Sequence, residues 1–255
     1  MKALKSLIKN LTVLLFWLLV WQGLSMIVAK PLLLPAPLAV LGRLCELIVS
    51  LSFWQITALS LGRILLGVIC AVVLGVALAI ITSRSRLLES LFTPLITVIK
   101  STPVASFIIL LILWIGRDIL PSVIVVLMAL PVMWSNVSAG ISSTDPLLLE
   151  MAGVFGFSRR RKLRRVYIPS VMPHFLAACR STLGLAWKAG VAAEVLTVPA
   201  VSIGKMLYES KLYWETLDLF AWTLVVIICS LIIEKVLISA LTVLGKSWAK
   251  GGISK

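Results

Sequence analysis

The sequence predicts an all-α polytopic membrane protein with about six transmembrane helices and one cytoplasmic helix–turn–helix elbow. Three observations predict this class. Hydrophobic residues fill 60% of the 255 positions and charged residues only 13%, a balance typical of chains that live in a bilayer. The apolar residues fall in runs of bilayer length between short polar stretches. The basic residues collect in those stretches, and mostly on one side of the membrane when the runs are taken as alternating spans.

The first element follows Lys2, Lys5 and Lys9, where Leu11 to Ala29 forms an apolar run near spanning length. No small-x-small cleavage site follows cleanly, so residues 1–30 read as a first transmembrane helix with the N-terminus inside. Pro31, Pro35 and Pro37 then break the chain. Leu38, Leu41, Leu44, Cys45 and Ile48 recur at helical spacing opposite Arg43 and Glu46, which predicts an amphipathic helix over 37–50 at the outer interface, inside a periplasmic segment 31–56.

The core transmembrane region, 57–245, opens with a second span from Thr57 to Thr82. Gly67, Ala71, Gly75 and Ala79 recur every fourth residue and make a small-residue packing stripe. Ser83-Arg84-Ser85-Arg86 is a short basic loop, hence cytoplasmic. A third span over Leu88–Ile115 is interrupted at Thr102-Pro103, where proline removes a backbone donor and Thr102 can cap the half-helix that follows. Lys100 sits just before that break, and Gly116-Arg117-Asp118 makes an outer turn. A fourth span, Ile119 to Ile141, is kinked near Pro131.

The elbow occupies 145–172. Asp145 suits an N-cap and Pro146 the first helical position, so one short arm starts there. Gly156 can end that arm in the left-handed conformation, and Ser158 can cap a second arm that Pro169 is expected to cut off. Glu150 and Phe155 lie on the first arm; Arg159, Arg160, Arg161, Lys162, Arg164 and Arg165 crowd the second. A fifth span, from Pro173 to Thr197, carries Arg180, Lys188 and Glu194; 199–218 reads as an outer loop, and Leu219–Leu244 is the sixth span. Lys246, Lys250 and Lys255 close a tail, 246–255, placed in the cytoplasm like the N-terminus.

The elbow resembles the EAA loop of membrane subunits of binding-protein-dependent ABC importers. That family's pattern is E-A-A, three residues, Gly, nine residues, then I-x-L-P. Here Glu150-Met151-Ala152 is followed after three residues by Gly156, and after nine more by Val166-Tyr167-Ile168-Pro169. Met151 departs from alanine; Val166 and Ile168 are apolar exchanges. Leu34-Pro35-Ala36-Pro37 is similar to the family's LPSP segment, and Leu183–Val195 to its LGRAWxxVVAAEM segment, with Lys188 where an apolar residue is usual. The likeness covers residues 34–240 and is nearest to importers of the nitrate, taurine and alkanesulfonate type, a group that also carries vitamin precursors.

The resemblance implies that Glu150, Ala152, Gly156, Arg159, Arg160 and Pro169 belong to a coupling helix that docks on a cytoplasmic ATPase. It implies further partners: an extracytoplasmic substrate-binding protein and a second permease copy, in a bacterial inner membrane. ATP is then bound by the partner. This chain carries no cofactor motif, and Gly245-Lys246-Ser247 fails as a phosphate loop because Ala240 stands where the first glycine belongs.

Other classes fit less well. The net charge of +14 comes without the interleaved aromatic–basic surface of nucleic-acid binders, so it reads as topology plus attraction to lipid headgroups. Cys45, Cys70, Cys179 and Cys229 form no CxxC pair and read as small hydrophobes, and His174 has no ligating neighbours in sequence, so no metal site is expected. A membrane enzyme needs converging titratable groups, whereas Lys188 and Glu194 fall on different helical faces. An ion-driven secondary transporter would show repeats and intramembrane acids. The intramembrane polar residues Lys100, Thr102, Lys188 and Glu194 are the candidate substrate path, and the two lysines favour an anionic cargo.

Overall fold

The computed structural model describes residues 2–251, with side chains for 8–9 and 11–240. The side chains of Lys2, Lys5, Lys246 and Lys250, and all of Lys255, lie outside the described residues, as does the reading of Gly245-Lys246-Ser247 and of the tail.

Three long helices form the centre. These are α3 (Leu51–Thr82), α6 (Leu120–Ser142) and α9 (Ile168–Thr197). The small-residue stripe of α3 is buried and faces α6. A Cβ at Gly67 would lie 2.7 Å from the Ser122 carbonyl oxygen and from Val125 Cβ, and one at Gly75 would lie 2.6 Å from Met133 Cβ. Close backbone approach of this kind gives dispersion contact where lipid removes the hydrophobic drive between helices. Ser122 Oγ donates to Arg63 O (2.9 Å) at one end of the pair, and Trp134 Nε1 donates to Thr82 Oγ1 (3.0 Å) near the other, so the helices run antiparallel. Helix α9 is antiparallel to α6 in turn: Gly140 abuts His174 at the elbow end, and Gly190 meets Ile64 and Val125 toward the far end.

By length and composition, α1 (Lys2–Val28, through Leu11–Val28), α3, α6 and α11 (Thr216–Gly251, through Ala240) can each cross a bilayer. Helix α9 is 30 residues long and runs beside α6, with Arg180, Lys188 and Glu194 spaced along it. The expected third span is bent: α4 (Arg86–Ser101) and α5 (Val104–Leu111) meet at 99° across Thr102-Pro103. The pair starts beside the elbow end of α3 and ends at the far-end start of α6, so the chain crosses the bundle here instead of re-entering. Ile96 of α4 packs with Ala79, Met133 and Val137, whereas Ile108 of α5 packs with Leu120, Ile124 and Ala193.

The flanking helices differ from expectation in detail. Helix α3 begins at Leu51 instead of Thr57, because Ser50 caps it by accepting from Phe53 N–H (3.3 Å). Helix α2 (Pro37–Val49) buries Pro37, Val40 and Leu44, while Leu38, Leu41, Cys45 and Ile48 face outward. Arg43 is not left to water; its Nη2 donates to Asp218 Oδ2 of α11 (3.0 Å). The described side chains of α1 are mostly exposed, and Trp21 stacks on Phe220 at 5.9 Å. Helix α11 is docked by Trp222 stacked on Phe53 (5.4 Å) and by Trp187 Nε1 donating to Val226 O (3.1 Å).

Candidate coupling elbow and solute path

Beyond α6 the chain leaves the bundle and folds into the elbow. Asp145 Oδ1 accepts from Leu147 N–H (2.9 Å) with Pro146 next to it, which starts α7 (Pro146–Val154). The helix ends in a paired closure: Phe157 N–H donates to Ala152 O (2.9 Å) and Gly156 N–H to Gly153 O (3.0 Å), with Gly156 at φ +60°. That arrangement requires the left-handed backbone that glycine adopts without cost. Ser158 Oγ accepts from Arg161 N–H (3.4 Å) and starts α8 (Arg159–Lys162). Arg161 lies over the Phe157 ring at 5.5 Å, tying the second arm to the turn.

The break expected at Pro169 is absent. A π-helical turn, Leu163–Tyr167, joins α8 to α9, and Pro169 sits in the first turn of α9. The wider turn moves the bonding register so that Ile168 N–H reaches Leu163 O, and Pro169 occupies an early position where a missing N–H is tolerated. The fifth long helix therefore starts at Ile168 and not at Pro173, and the second arm is mechanically continuous with it.

Leu147, Met151, Val154 and Phe155 fall on one face of the first arm and are 65%, 54%, 86% and 69% exposed. Glu150 stands exposed beside them, and Ala152 is buried. An apolar ridge with no core beneath it, outside the bundle, is the mark of a partner surface. Arg159, Arg160, Arg161, Arg164 and Arg165 are exposed along the second arm.

The candidate path residues lie apart. Thr102 Oγ1 donates back to Val98 O (2.7 Å), so it closes α4 and does not cap α5, which starts after Pro103 with no side-chain cap. Lys100 is exposed on the last turn of α4, and Lys188 is exposed on α9. Among the described residues neither lysine forms an ion pair.

Glu194 has a different environment. It is fully buried at the far end of α9, where it accepts from Ser60 Oγ (2.8 Å), Arg63 NH1 (3.2 Å) and Gly204 N–H (3.2 Å) of α10 (Ile203–Leu212). Arg63 NH1 also donates to Val201 O (2.8 Å), and its NH2 lies 3.7 Å from Asp118, which itself accepts from Ala200 N–H (3.1 Å). Arg63, Ser60 and Gly204 were not among the residues singled out from sequence, and Asp118 was read only as part of an outer turn; an arginine inside an otherwise apolar run was the available signal.

Among the described residues no cluster of His, Cys, Asp and Glu could hold a metal. A helical membrane bundle with a bent span and a two-armed elbow outside it is the build of a transporter's permease subunit. The chain belongs to the binding-protein-dependent transport system inner membrane component family, whose model matches residues 64–250. It is a multi-pass inner-membrane permease subunit of an ABC importer, and ATP hydrolysis takes place on a separate ATPase subunit.

Relatives extend over most of the chain. It is 28% identical to the taurine transport system permease protein TauC of Escherichia coli (strain K12), over 84% of this chain and 80% of that one. It is also 28% identical to the putative aliphatic sulfonates transport permease protein SsuC of Bacillus subtilis (strain 168), over 79% and 74%. The formylaminopyrimidine transport permease protein ThiX of Halalkalibacterium halodurans is 28% identical over 68% of this chain and 69% of its own. In fold, the chain is similar to an amino acid ABC transporter (TM-score 0.61, 17% identity, 77% of this chain and 94% of that one). It is similar as well to a bacterial importer of the acidic polysaccharide alginate (TM-score 0.62, 15% identity, all of both chains).

Proposed function

We propose that two copies of this chain form the solute path of an importer for small anionic organic solutes, sulfonates being the leading class. An extracytoplasmic binding protein delivers the solute, and residues 145–172 dock on the ATPase. The exposed apolar ridge of α7, turned back at Gly156, is the observation that carries this reading. Glu150, Ala152, Gly156, Arg159, Arg160 and Pro169 are its coupling residues, with both termini and residues 83–87 on the same, cytoplasmic, side. The continuity of α8, the π turn and α9 supports it, because a push on the elbow is passed to a helix packed along the whole of α6. ATP binding closes the ATPase pair, the elbows follow, and access to the path alternates.

Lys100, Thr102 and Lys188 border the path in this scheme, and Glu194 holds the far end of the helices around it. The cargo class is supported by the two unpaired lysines and by the named cargoes of relatives, taurine and aliphatic sulfonates. Cofactors are absent from the scheme on this chain. The test is copurification of the tagged permease with the ATPase encoded in the same genome neighbourhood, with and without Met151→Asp and Phe155→Asp. A complex that forms with the native elbow and is lost with the acidic ridge is expected. A complex indifferent to both substitutions overturns the docking assignment.

A further inference from the structure

We infer that the polar face of α4, formed by Glu89, Ser90, Thr93, Thr97 and Lys100, is the wetted wall of the solute path, with its anion-attracting end at Lys100. The inference deepens the permease reading above and rests on it.

Helix α4 has three faces where a lipid-exposed helix has two. Residues advance by about 100° each around an α-helix. Leu88, Phe92, Ile96 and Ile99 share one sector and are the half-buried or buried positions that pack on the bundle. Leu87, Leu91, Leu95 and Val98 share a second sector and are 69%, 62%, 54% and 58% exposed, as lipid contact requires. Glu89, Ser90, Thr93, Thr97 and Lys100 share the third; all five are exposed, and no large apolar residue interrupts them. An interfacial helix lying on the membrane would put one apolar face down and one polar face up. Helix α4 instead packs into the bundle, because its buried Ile96 shares one core cluster with Ala79 of α3 and with Met133 and Val137 of α6.

The hydroxyls alone would not demand water. Thr93 Oγ1 donates to Glu89 O (2.6 Å) and Thr97 Oγ1 to Thr93 O (2.8 Å), which meets their donors inside the helix. The charges do demand it. Glu89 and Lys100 complement the two helix ends they occupy; Glu89 lies in the first turn beside the 83–85 loop, whereas Lys100 lies at the break within the bent span, where an exposed charge needs a polar surrounding. They are about 16 Å apart along the axis, beyond the screening length of salt water, so Lys100 is not neutralised by Glu89. The wall therefore presents threonine oxygens leading to an unpaired ammonium, a surface suited to a small solute that carries an anionic head and further polar groups.

Single cysteines test this in the intact importer, reconstituted with its ATPase, after Cys45, Cys70, Cys179 and Cys229 are replaced by alanine. The probes are two charged, membrane-impermeant thiosulfonates, one cationic and one anionic. Thr93→Cys and Thr97→Cys are expected to react at least about tenfold faster than Leu91→Cys and Leu95→Cys, whose thiols face hydrocarbon and stay protonated. Trapping the ATPase pair with a non-hydrolysable ATP analogue is expected to change the rate at Thr97→Cys. Adding Lys100→Gln is expected to lower the anionic-to-cationic rate ratio there about fivefold, the effect of one charge a helical turn away. Equal rates on the two faces, a rate indifferent to nucleotide, or a ratio indifferent to Lys100→Gln overturns the wall. Only complexes that copurify with the ATPase are labelled, so failure to form one counts against the permease-coupling reading and not against the wall.

Discussion

Arg63 and Glu194 are 131 residues apart in sequence, yet Arg63 NH1 lies 3.2 Å from Glu194 Oε1. With Ser60 and Gly204 completing the carboxylate's partners, this pair ties α3, α9 and α10 at the end of the bundle opposite the elbow. Glu194 is fully buried and the Arg63 side chain is 17% exposed, so removing Arg63 strands a buried carboxylate and removing Glu194 takes from Arg63 its nearer partner. Glu194→Ala is expected to cost about 3 kcal/mol, because Arg63 loses its nearer, buried carboxylate and keeps only Asp118 at 3.7 Å, while Ser60 and Gly204 lose their acceptor. Arg63→Met combined with Glu194→Leu is expected to recover most of that, read as the thermal aggregation midpoint in detergent. A double variant no better than the single one would show that hydrogen bonding to Ser60 and Gly204, and not charge pairing, is what matters.

Much of this architecture was legible because its causes are local. Asp145, Pro146, Gly156 and Ser158 each act on the backbone within a few residues, and each plays the part its chemistry suggests. The stripe Gly67–Ala79 announced a packing face, but only the fold shows that α6 fills it. Proline misled once: at Pro169 a π turn absorbs the missing donor, whereas at Thr102-Pro103 the chain breaks as expected, bending by 99°, an angle no local rule gives. The Arg63 network was hidden because its members come from four separate segments, and no spacing rule connects them.

Glycine at 67 and glycine at 62 make a controlled comparison on one helix. A Cβ at Gly67 would meet the Ser122 carbonyl and Val125 at 2.7 Å, whereas one at Gly62 would meet nothing within 4 Å. Gly67→Ala is expected to force α3 and α6 apart and to cost about 2 kcal/mol, as overpacking does. Gly62→Ala is expected to be neutral or to stabilise by about 0.5 kcal/mol through helix propensity. Comparable melting behaviour of the two variants in detergent would refute the packing account.

Gly156 tests coupling through the backbone alone. Nothing lies within 4 Å of a Cβ built there, so a substitution acts through the left-handed φ of +60° and not through a clash. Gly156→Leu is expected to strain the turn by about 1–2 kcal/mol and to misdirect the apolar ridge. Membrane insertion should stay normal while ATP-driven uptake falls. Gly156→Asn, which tolerates that conformation, is expected to retain most uptake. Wild-type uptake by Gly156→Leu would remove the elbow's geometry from the coupling scheme.

Orientation is open to a direct measurement. Arg160 is exposed on the second arm of the elbow. In a cysteine-free background, Arg160→Cys is expected to resist a membrane-impermeant maleimide in intact cells and to react with it in inverted vesicles. Labelling in intact cells would place the elbow outside and reverse the topology.

Lys100 and Lys188 are exposed on helices of the bundle, and among the described residues neither forms an ion pair. An unpaired intramembrane charge costs on the order of 3 kcal/mol even on insertion scales, so its retention calls for a role or an escape route to the interface. If each lysine only reaches toward headgroups, methionine keeps the packed stem and loses nothing that transport needs. If they attract an anionic solute, Lys100→Met and Lys188→Met each lower uptake, and the loss appears at low solute concentration first, because attraction acts on capture. Taurine and methanesulfonate are the probes, with the partner subunits present and assembly checked by copurification. Full uptake of both probes by the double variant, at every concentration, eliminates the anion-attracting role and leaves the lysines as interfacial anchors.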